Sequence, residues 1–423
     1  MRIAPYVAAG LLALGLALPA RAATVALKFI VPSGATAESS RLYYNLAHEF
    51  ERQQPDIRVD FMPLGQWDDV IAKLRQLPEG GRAAVFVAEV SETLELEQMG
   101  LIEPFGEALA RYGNEKAFLA PFLPEFLGNS YCRGGKLCGP PFVRSTPVVL
   151  YNLEKLRDAG LGQDSLPAGW ADFETVLGKL HARSHQAPFC LGGDWYDYLF
   201  EAMVRQSGGA LMDMEHGRVT LATPEATEAL AFWKRLKDEH YLVRMNTWKA
   251  TLNGFVGGYC AVSYYSSGGL ETVRAHARFA WMADMLPKNK NYGVAVGGGN
   301  LYLAKGMSAA EQQAALKLAA FLYQPSVQAR ISVATGFFPV VAGAFADTAL
   351  AARYAREEPF LRVRAQLKYA KPKLMSTNNM RLRTVLKQAI DRVLDEGMDP
   401  AASLRWAQRE ADRLAPPLQS PPP

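Results

Sequence analysis

Among 423 residues there are four cysteines and six histidines, and no two cysteines form a C-x-x-C pair. Structural zinc sites need Cys and His clustered at close spacing, so the rival reading of the cysteines as zinc ligands finds no support here. His181 and His185 have the i, i+4 spacing of a metal pair, but no H-E-x-x-H carboxylate accompanies them, and a solvated helix end is the expectation. The chain lacks a Walker sequence and a G-x-S-x-G elbow. Gly297-Gly298-Gly299 is followed by no G-K-[ST] and does not form the dinucleotide G-x-G-x-x-G, so phosphate cradles of those two kinds are ruled out. An excess of charge of one sign is also missing. The 46 Lys and Arg against 42 Asp and Glu leave +4, which drops to +2 without Arg2 and Arg21. With no basic run and no stacked aromatic motif, nucleic acid is not an expected partner. The apolar run Val7–Leu18 is shorter than the ~20 residues needed to cross a bilayer, and no internal repeat is evident.

That run has another use. Arg2 precedes it and Ala20-Arg21-Ala22 follows it as an A-x-A cleavage site, so residues 1–22 read as a secretory signal peptide. No cysteine precedes Cys132, so no lipid anchor is expected, and the periplasm is the expected compartment. Disulfides suit that compartment. Cys132 and Cys138 bracket the short, Gly-rich RGGKL, which can close a small ring, and Cys190 and Cys260 are left as a long-range pair.

At this length two lobes are expected. Val25–Val31 reads as a strand, and a helix capped at Ser39 or Ser40 carries Leu42, Leu46 and Phe50 on one face. Ile57, Val59 and Phe61 alternate with Arg58 and Asp60 as a second strand, Asp68-Asp69 start a helix, and Ala83–Ala88 is a strand buried on both faces. The β-α-β-α-β order implies a parallel sheet, whose ligands bind beyond the carboxyl ends of the strands. Trp67 and Glu89 fall there. Each also has a bland reading, Trp67 as an anchor for its helix and Glu89 as a helix cap. Pro140-Pro141 force an extended segment, Thr146–Tyr151 is a buried strand, and Asn152 caps a helix closed by Gly160. We read this stretch as the passage from one lobe to the other, with Ser145 in the cleft. Trp170 is expected to pack, Cys190–Tyr198 to form an aromatic-rich glycine turn, and Thr223-Pro224 to start a helix. Gly258–Gly269 looks like a second passage. Ser308 to Glu311 is a capping box, Thr335–Pro339 a tight loop, and residues 416–423 a disordered tail. The expected division is 23–138 with 269–325 in lobe 1 and 139–268 with 326–415 in lobe 2.

The segments AVFVAEVSE, PPFVRSTPVVLYN, CAVSYYSSGGLETVRAHARF, GGGNLYL, TGFFPV and NNMRLR, in this order, resemble the extracellular solute-binding proteins of carbohydrate-type ABC importers. The resemblance spans nearly the whole chain after the leader. It implies an α/β, two-lobed periplasmic-binding-protein fold with a hinge and a central ligand cleft, no cofactor and no catalysis. It also implies a monomer that serves inner-membrane permease subunits with a cytoplasmic ATPase behind them. The ligand it implies is sn-glycerol-3-phosphate or a glycerophosphodiester. Carried over by position, Glu89 would accept from a glycerol hydroxyl, Ser145 and Ser266 would donate, and Gly298 would offer an amide. Trp67 would stand in the site where the family has a Tyr, Trp195 and Tyr198 would form the aromatic wall, and Arg383 would be the cation for phosphate.

Arg suits phosphate because its planar fork presents paired donors. Phe337 stands where the family has a ligand-contacting Tyr, which removes a donor worth roughly 1.5–3 kcal/mol to a charged group. Arg144 replaces a small residue, but neighbours on an extended segment point opposite ways, so with Ser145 in the cleft Arg144 is expected to face away. The aromatic wall also suits a quaternary amine such as that of glycerophosphocholine. A neutral oligosaccharide is the alternative ligand. A secreted glycoside hydrolase using Glu89 is the alternative from another class.

Overall fold

The computed structural model describes residues 24–32, 37–77, 84–213 and 216–414, so the expected signal peptide at 1–22 and the expected tail at 416–423 lie outside the described residues. The chain opens with β1 (Val25–Pro32), β2 (Ile57–Leu64) and β3 (Ala84–Glu89), followed by β4 (Ile102–Glu103) and β5 (Pro141–Ser145). It continues with β6 (Pro147–Asn152), β7 (Phe189–Gly192), a ribbon of β8 (Met212–Asp213) and β9 (Arg218–Val219), then β10 (Leu242–Met245), β11 (Val262–Ser266) and β12 (Trp281–Asp284). The last strands are β13 (Val294–Ala295), β14 (Gly297–Ala304) and β15 (Ala370–Lys371).

Two large sheets hold all of these strands except the pairs β8-β9 and β13-β15. The first runs β2-β1-β3-β14-β4 with β5 also on β14, and the second runs β10-β7-β11-β6-β12. β1 pairs in parallel with β2 and β3, so Leu64 and Glu89 end on the same side of the sheet. All six residues of β3 are buried, which is why its sequence is a continuous apolar run up to Glu89. β2 alternates at its start because one face meets solvent. Local chemistry closes the helices. Asn152 Oδ1 accepts from the N–H groups of Glu154 and Lys155, the Thr223 hydroxyl accepts from Ala226 N, and Ser308 and Glu311 form a reciprocal capping box. Trp170 is a packing residue, stacked on Phe232 at 4.5 Å, with its indole N–H donated to Gln206. Arg144 does face away from the cleft and is fully buried.

The sheets are joined at three places. The first passage falls in the expected stretch but later than the expected boundary at 139: β5 belongs to the first sheet, β6 to the second, and Thr146 lies between. The second differs from expectation. β11 is followed by the turn Ser267–Gly269 and the helix Leu270–His276, which lead to β12, and β12 pairs with β6. The chain therefore leaves the second sheet after Asp284, not at Gly258–Gly269. The third passage follows the helices Ala309–Leu322 and Pro325–Thr335, which pack on β1 and on the helix Ala37–Gln53; the helix Glu358–Arg364 then reaches β12. Gln366 binds the passages together. Its amide donates to Thr146 Oγ1 (3.0 Å) and to the Pro147 carbonyl, and its carbonyl accepts from Leu286 N (3.0 Å).

Disulfides join Cys132 to Cys138 and Cys190 to Cys260. The second spans 70 residues and ties β7 to the lead-in of β11. Loop-closure entropy makes it worth about 4 kcal/mol, against about 2 for the six-residue ring. The double variant C190S/C260S is expected to melt several degrees below the parent, with C132S/C138S losing about half as much. Equal melting of C190S/C260S and the parent would show that the second sheet does not need this tie.

Candidate functional site

Glu89 ends β3 and is buried. Its carboxylate folds back to cap the short turn Val90–Glu92: Oε2 accepts from Ser91 N at 2.8 Å and from the Ser91 hydroxyl, while Glu92 accepts from Glu89 N at 3.2 Å. The bland reading of Glu89 as a cap is thus correct for one oxygen. The other, Oε1, accepts from Lys373 Nζ at 3.2 Å. Burial first, and the Glu89 charge second, push the Glu92 carboxyl well above the usual range.

Arg383 projects from the helix Asn379–Leu394 of the second lobe. Its NH1 reaches Asp68 Oδ1 of the first lobe at 3.0 Å, its Nε lies 3.4 Å from Asp197 Oδ1, and its guanidinium sits 4.4 Å above the Trp195 ring. Burial opposes its charge, but Asp197 and Asp68 outweigh that and raise its pKa. Trp195 precedes the helix Tyr196–Gln206, and Asp197 lies in that helix's first turn, where the backbone N–H groups favour a carboxylate. Asp197 also meets Lys373 Nζ at 2.7 Å. Burial would raise its carboxyl, but Lys373 and Arg383 hold it below the usual range.

Tyr198 links this cluster to the passages between the sheets. Its hydroxyl is 3.1 Å from Ser145 Oγ and also hydrogen-bonds Ser266, and burial pushes its pKa up. Ser266 Oγ accepts from Gly268 N at 3.2 Å. The three glycines lie inside β14, and the space above each is filled by the chain itself. A Cβ on Gly297 would meet the Tyr198 ring at 2.8 Å, one on Gly299 the Trp67 ring at 2.6 Å, and one on Gly298, whose φ is +99°, the Val143 carbonyl at 2.2 Å. Only glycine fits that last position, on both conformation and space. Trp67 and Phe337 meet edge to face with centroids 6.3 Å apart, and Phe337 packs on Gly268.

The structure therefore brings Glu89, Trp195, Tyr198 and Arg383 into one cluster and joins Ser145, Ser266 and Gly298 to it through Tyr198 and β14. Trp67 and Phe337 form an adjoining pair. Cys190–Tyr198 is a strand, a turn and the start of a helix, not one long turn. Three participants escaped the sequence reading: Asp68, Asp197 and Lys373. Trp248, which lies 6.4 Å from Trp195 and stacks on Tyr265 at 4.1 Å, escaped it too. Asp197 had a signal, since it stands between Trp195 and Tyr198 at a helix start. A cavity of about 10 Å³, room for one water, lies beside Lys373 and Arg383 and is lined by Asp197, Glu201 and the inner face of the helix Asn379–Leu394.

Comparison with known proteins agrees with this architecture. The chain is 23% identical over 397 residues to the sn-glycerol-3-phosphate-binding periplasmic protein UgpB of Yersinia pestis, covering 88% of each. It is 23% identical over 430 residues to UgpB of Escherichia coli, covering 96% of each. Among solved structures, UgpB of Mycobacterium tuberculosis with glycerophosphocholine superposes with a TM-score of 0.79 at 21% identity, over 92% of this chain and 97% of that one. The acarbose-binding GacH receptor of Streptomyces glaucescens also gives 0.79, at 20% identity, over 92% and 98%. These structures share the two-lobed fold. The family model for bacterial extracellular solute-binding proteins matches residues 45–357, and the chain belongs to that family, as a solute-binding component of an ABC importer.

Proposed function

We propose that this chain captures sn-glycerol-3-phosphate or a glycerophosphodiester between its lobes in the periplasm and delivers it to an inner-membrane ABC permease. One observation carries the reading: a guanidinium on an aromatic ring, reaching across the cleft from one lobe to the other, beside serine hydroxyls and a buried carboxylate. Phosphate suits the Arg383 fork, and a glycerol hydroxyl suits the Glu89 carboxylate. Asp68 is 55% exposed, so its pair with Arg383 is weak and can be exchanged for a phosphate as the lobes open and reclose. Closure follows the ligand because the closed lobes offer it partners from both sides, and only that difference in affinity shifts the equilibrium.

A neutral oligosaccharide is the second reading. It is favoured by the continuous aromatic surface of Trp195, Trp248 and Tyr265 and by the carboxylates already engaging Arg383. Titration calorimetry on the chain from Ala23 with glycerol-3-phosphate, glycerophosphocholine and maltose separates them. Micromolar or tighter binding of either phosphate compound is the expected result. Binding of maltose alone would transfer the assignment to sugars. Any turnover of the titrants would sink the pure binding reading, and hydrolysis of maltose would revive the glycoside hydrolase.

A further inference from the structure

Lys373 has no part in the reading just given, yet it is the most enclosed cation in the cleft, with its side chain only 1% exposed. It lies one residue beyond the two-residue strand β15, after Pro372, and is held by its backbone from both lobes. Its N–H donates to Asn129 Oδ1 and its carbonyl accepts from Asn129 Nδ2, both at 2.9 Å, and the next residue's N–H donates to Glu201 at 2.9 Å. The ammonium then lies 2.7 Å from Asp197, 3.2 Å from Glu89, 5.3 Å from the Trp195 ring and 5.7 Å from the Tyr198 ring. A lysine fixed at both the backbone and the charge has little freedom left. Its position is set by the fold and not by the search of a long side chain for a partner.

Its placement addresses a difficulty that the cleft creates for an anion. Asp68, Glu89 and Asp197 put three carboxylates around the place where a phosphate would sit, against two cations, Arg383 and Lys373. Arg383 is already shared between Asp68 and Asp197. Without Lys373, Glu89 would have no cation in contact, and an approaching phosphate would meet an unscreened carboxylate in a dry crevice where charges interact strongly. With Lys373, Glu89 offers an acceptor for a neutral hydroxyl while its charge is cancelled towards the anion. We propose that Lys373 determines the cleft's preference for anionic ligands, by neutralising Glu89 and Asp197 together so that one ligand end can be a phosphate and the other a hydroxyl. This rests on the glycerophosphate reading. Asp197, raised in charge preference by the same two cations, is the natural partner for a compensation test.

The experiment is calorimetry with glycerol-3-phosphate on the parent, K373R, K373M, D197N and K373M/D197N, each checked for a cooperative melt. K373M adds one unbalanced negative charge and is expected to bind about 100-fold more weakly, about 2.7 kcal/mol. K373R keeps the charge and is expected within about tenfold of the parent. K373M/D197N restores the original charge count and is expected to recover at least tenfold over K373M, which a packing role for Lys373 would not produce. Binding by K373M within about threefold of the parent, or no recovery in the double variant, overturns the proposal. If K373M fails to fold, the double variant decides alone: it should bind within about tenfold of the parent, and a 100-fold loss there also overturns it. If the parent binds maltose and neither phosphate compound, the functional reading fails and this one falls with it. If the parent binds glycerol-3-phosphate and the compensation fails, only the role of Lys373 is lost.

Discussion

Arg383→Ala should weaken binding of glycerol-3-phosphate by about a thousandfold, or about 4 kcal/mol, and leave maltose titrations unchanged. Two charge-assisted hydrogen bonds from one guanidinium are each worth roughly 1.5–3 kcal/mol, so the loss is set by the fork and not by general charge. Some of that gain is returned in the parent, because phosphate must draw Arg383 from Asp68 at 3.0 Å and loosen it from Asp197 at 3.4 Å. The Asp68 side chain reaches solvent when released, which keeps that exchange inexpensive. Arg383→Lys retains a cation over Trp195 but loses the planar pair of donors, and an intermediate loss of about thirtyfold is expected. Calorimetry of the three proteins with both ligands is the check. A loss below tenfold in the alanine variant would remove Arg383 from phosphate recognition and with it the observation on which the functional reading stands.

The order β-α-β-α-β at the start of the chain was legible because its signals are local. Ile57, Val59 and Phe61 alternate within five residues, β3 is one uninterrupted apolar run, and Asn152, Thr223 and Ser308 announce the helices they cap. What joins distant parts was not legible. β14 enters the first sheet beside β3, with Gly299 opposite Glu89, and nothing near either residue encodes that partner. The same holds for the second passage, where the polar turn after β11 resembles a crossing but leads back to β12 of the same sheet. The glycines of β14 leave room for close approach to the backbone, and that room is taken by Tyr198, Val143 and Trp67 of this chain. Lys373 and Glu89 stand 284 positions apart, so a buried ion pair between them has no sequence signature. A lysine in AKPKLM reads as any surface lysine until the fold encloses it.

Arg144 shows the same limit from the side of stability. It is fully buried and, among the described residues, has no carboxylate in contact; carbonyl dipoles and one amide hold its charge instead. Its NH2 donates to the Phe126 carbonyl (2.8 Å) and to Asn300 Oδ1 (2.6 Å), and its NH1 to the carbonyls of Gly299 (2.9 Å) and Val143 (3.1 Å). Burial lowers its pKa to about 10, which still leaves it charged at neutral pH. Through these bonds one side chain fixes the β5–β14 pairing and Asn300, whose amide in turn donates to the Asn129 carbonyl in the segment that holds Lys373. Arg144→Met should therefore cost at least about 4 kcal/mol, since several buried acceptors lose their donor at roughly 1–3 kcal/mol each, partly offset by the removal of a desolvated charge. Arg144→Lys should lose nearly as much, because an ammonium at the same depth cannot span carbonyls on three segments. Urea unfolding of the whole chain, followed by circular dichroism, would report both. If the methionine variant were as stable as the parent, the acceptors around Arg144 must be satisfied in some other way, and the rigidity of β14 against Ser145 and Tyr198 would need a different source.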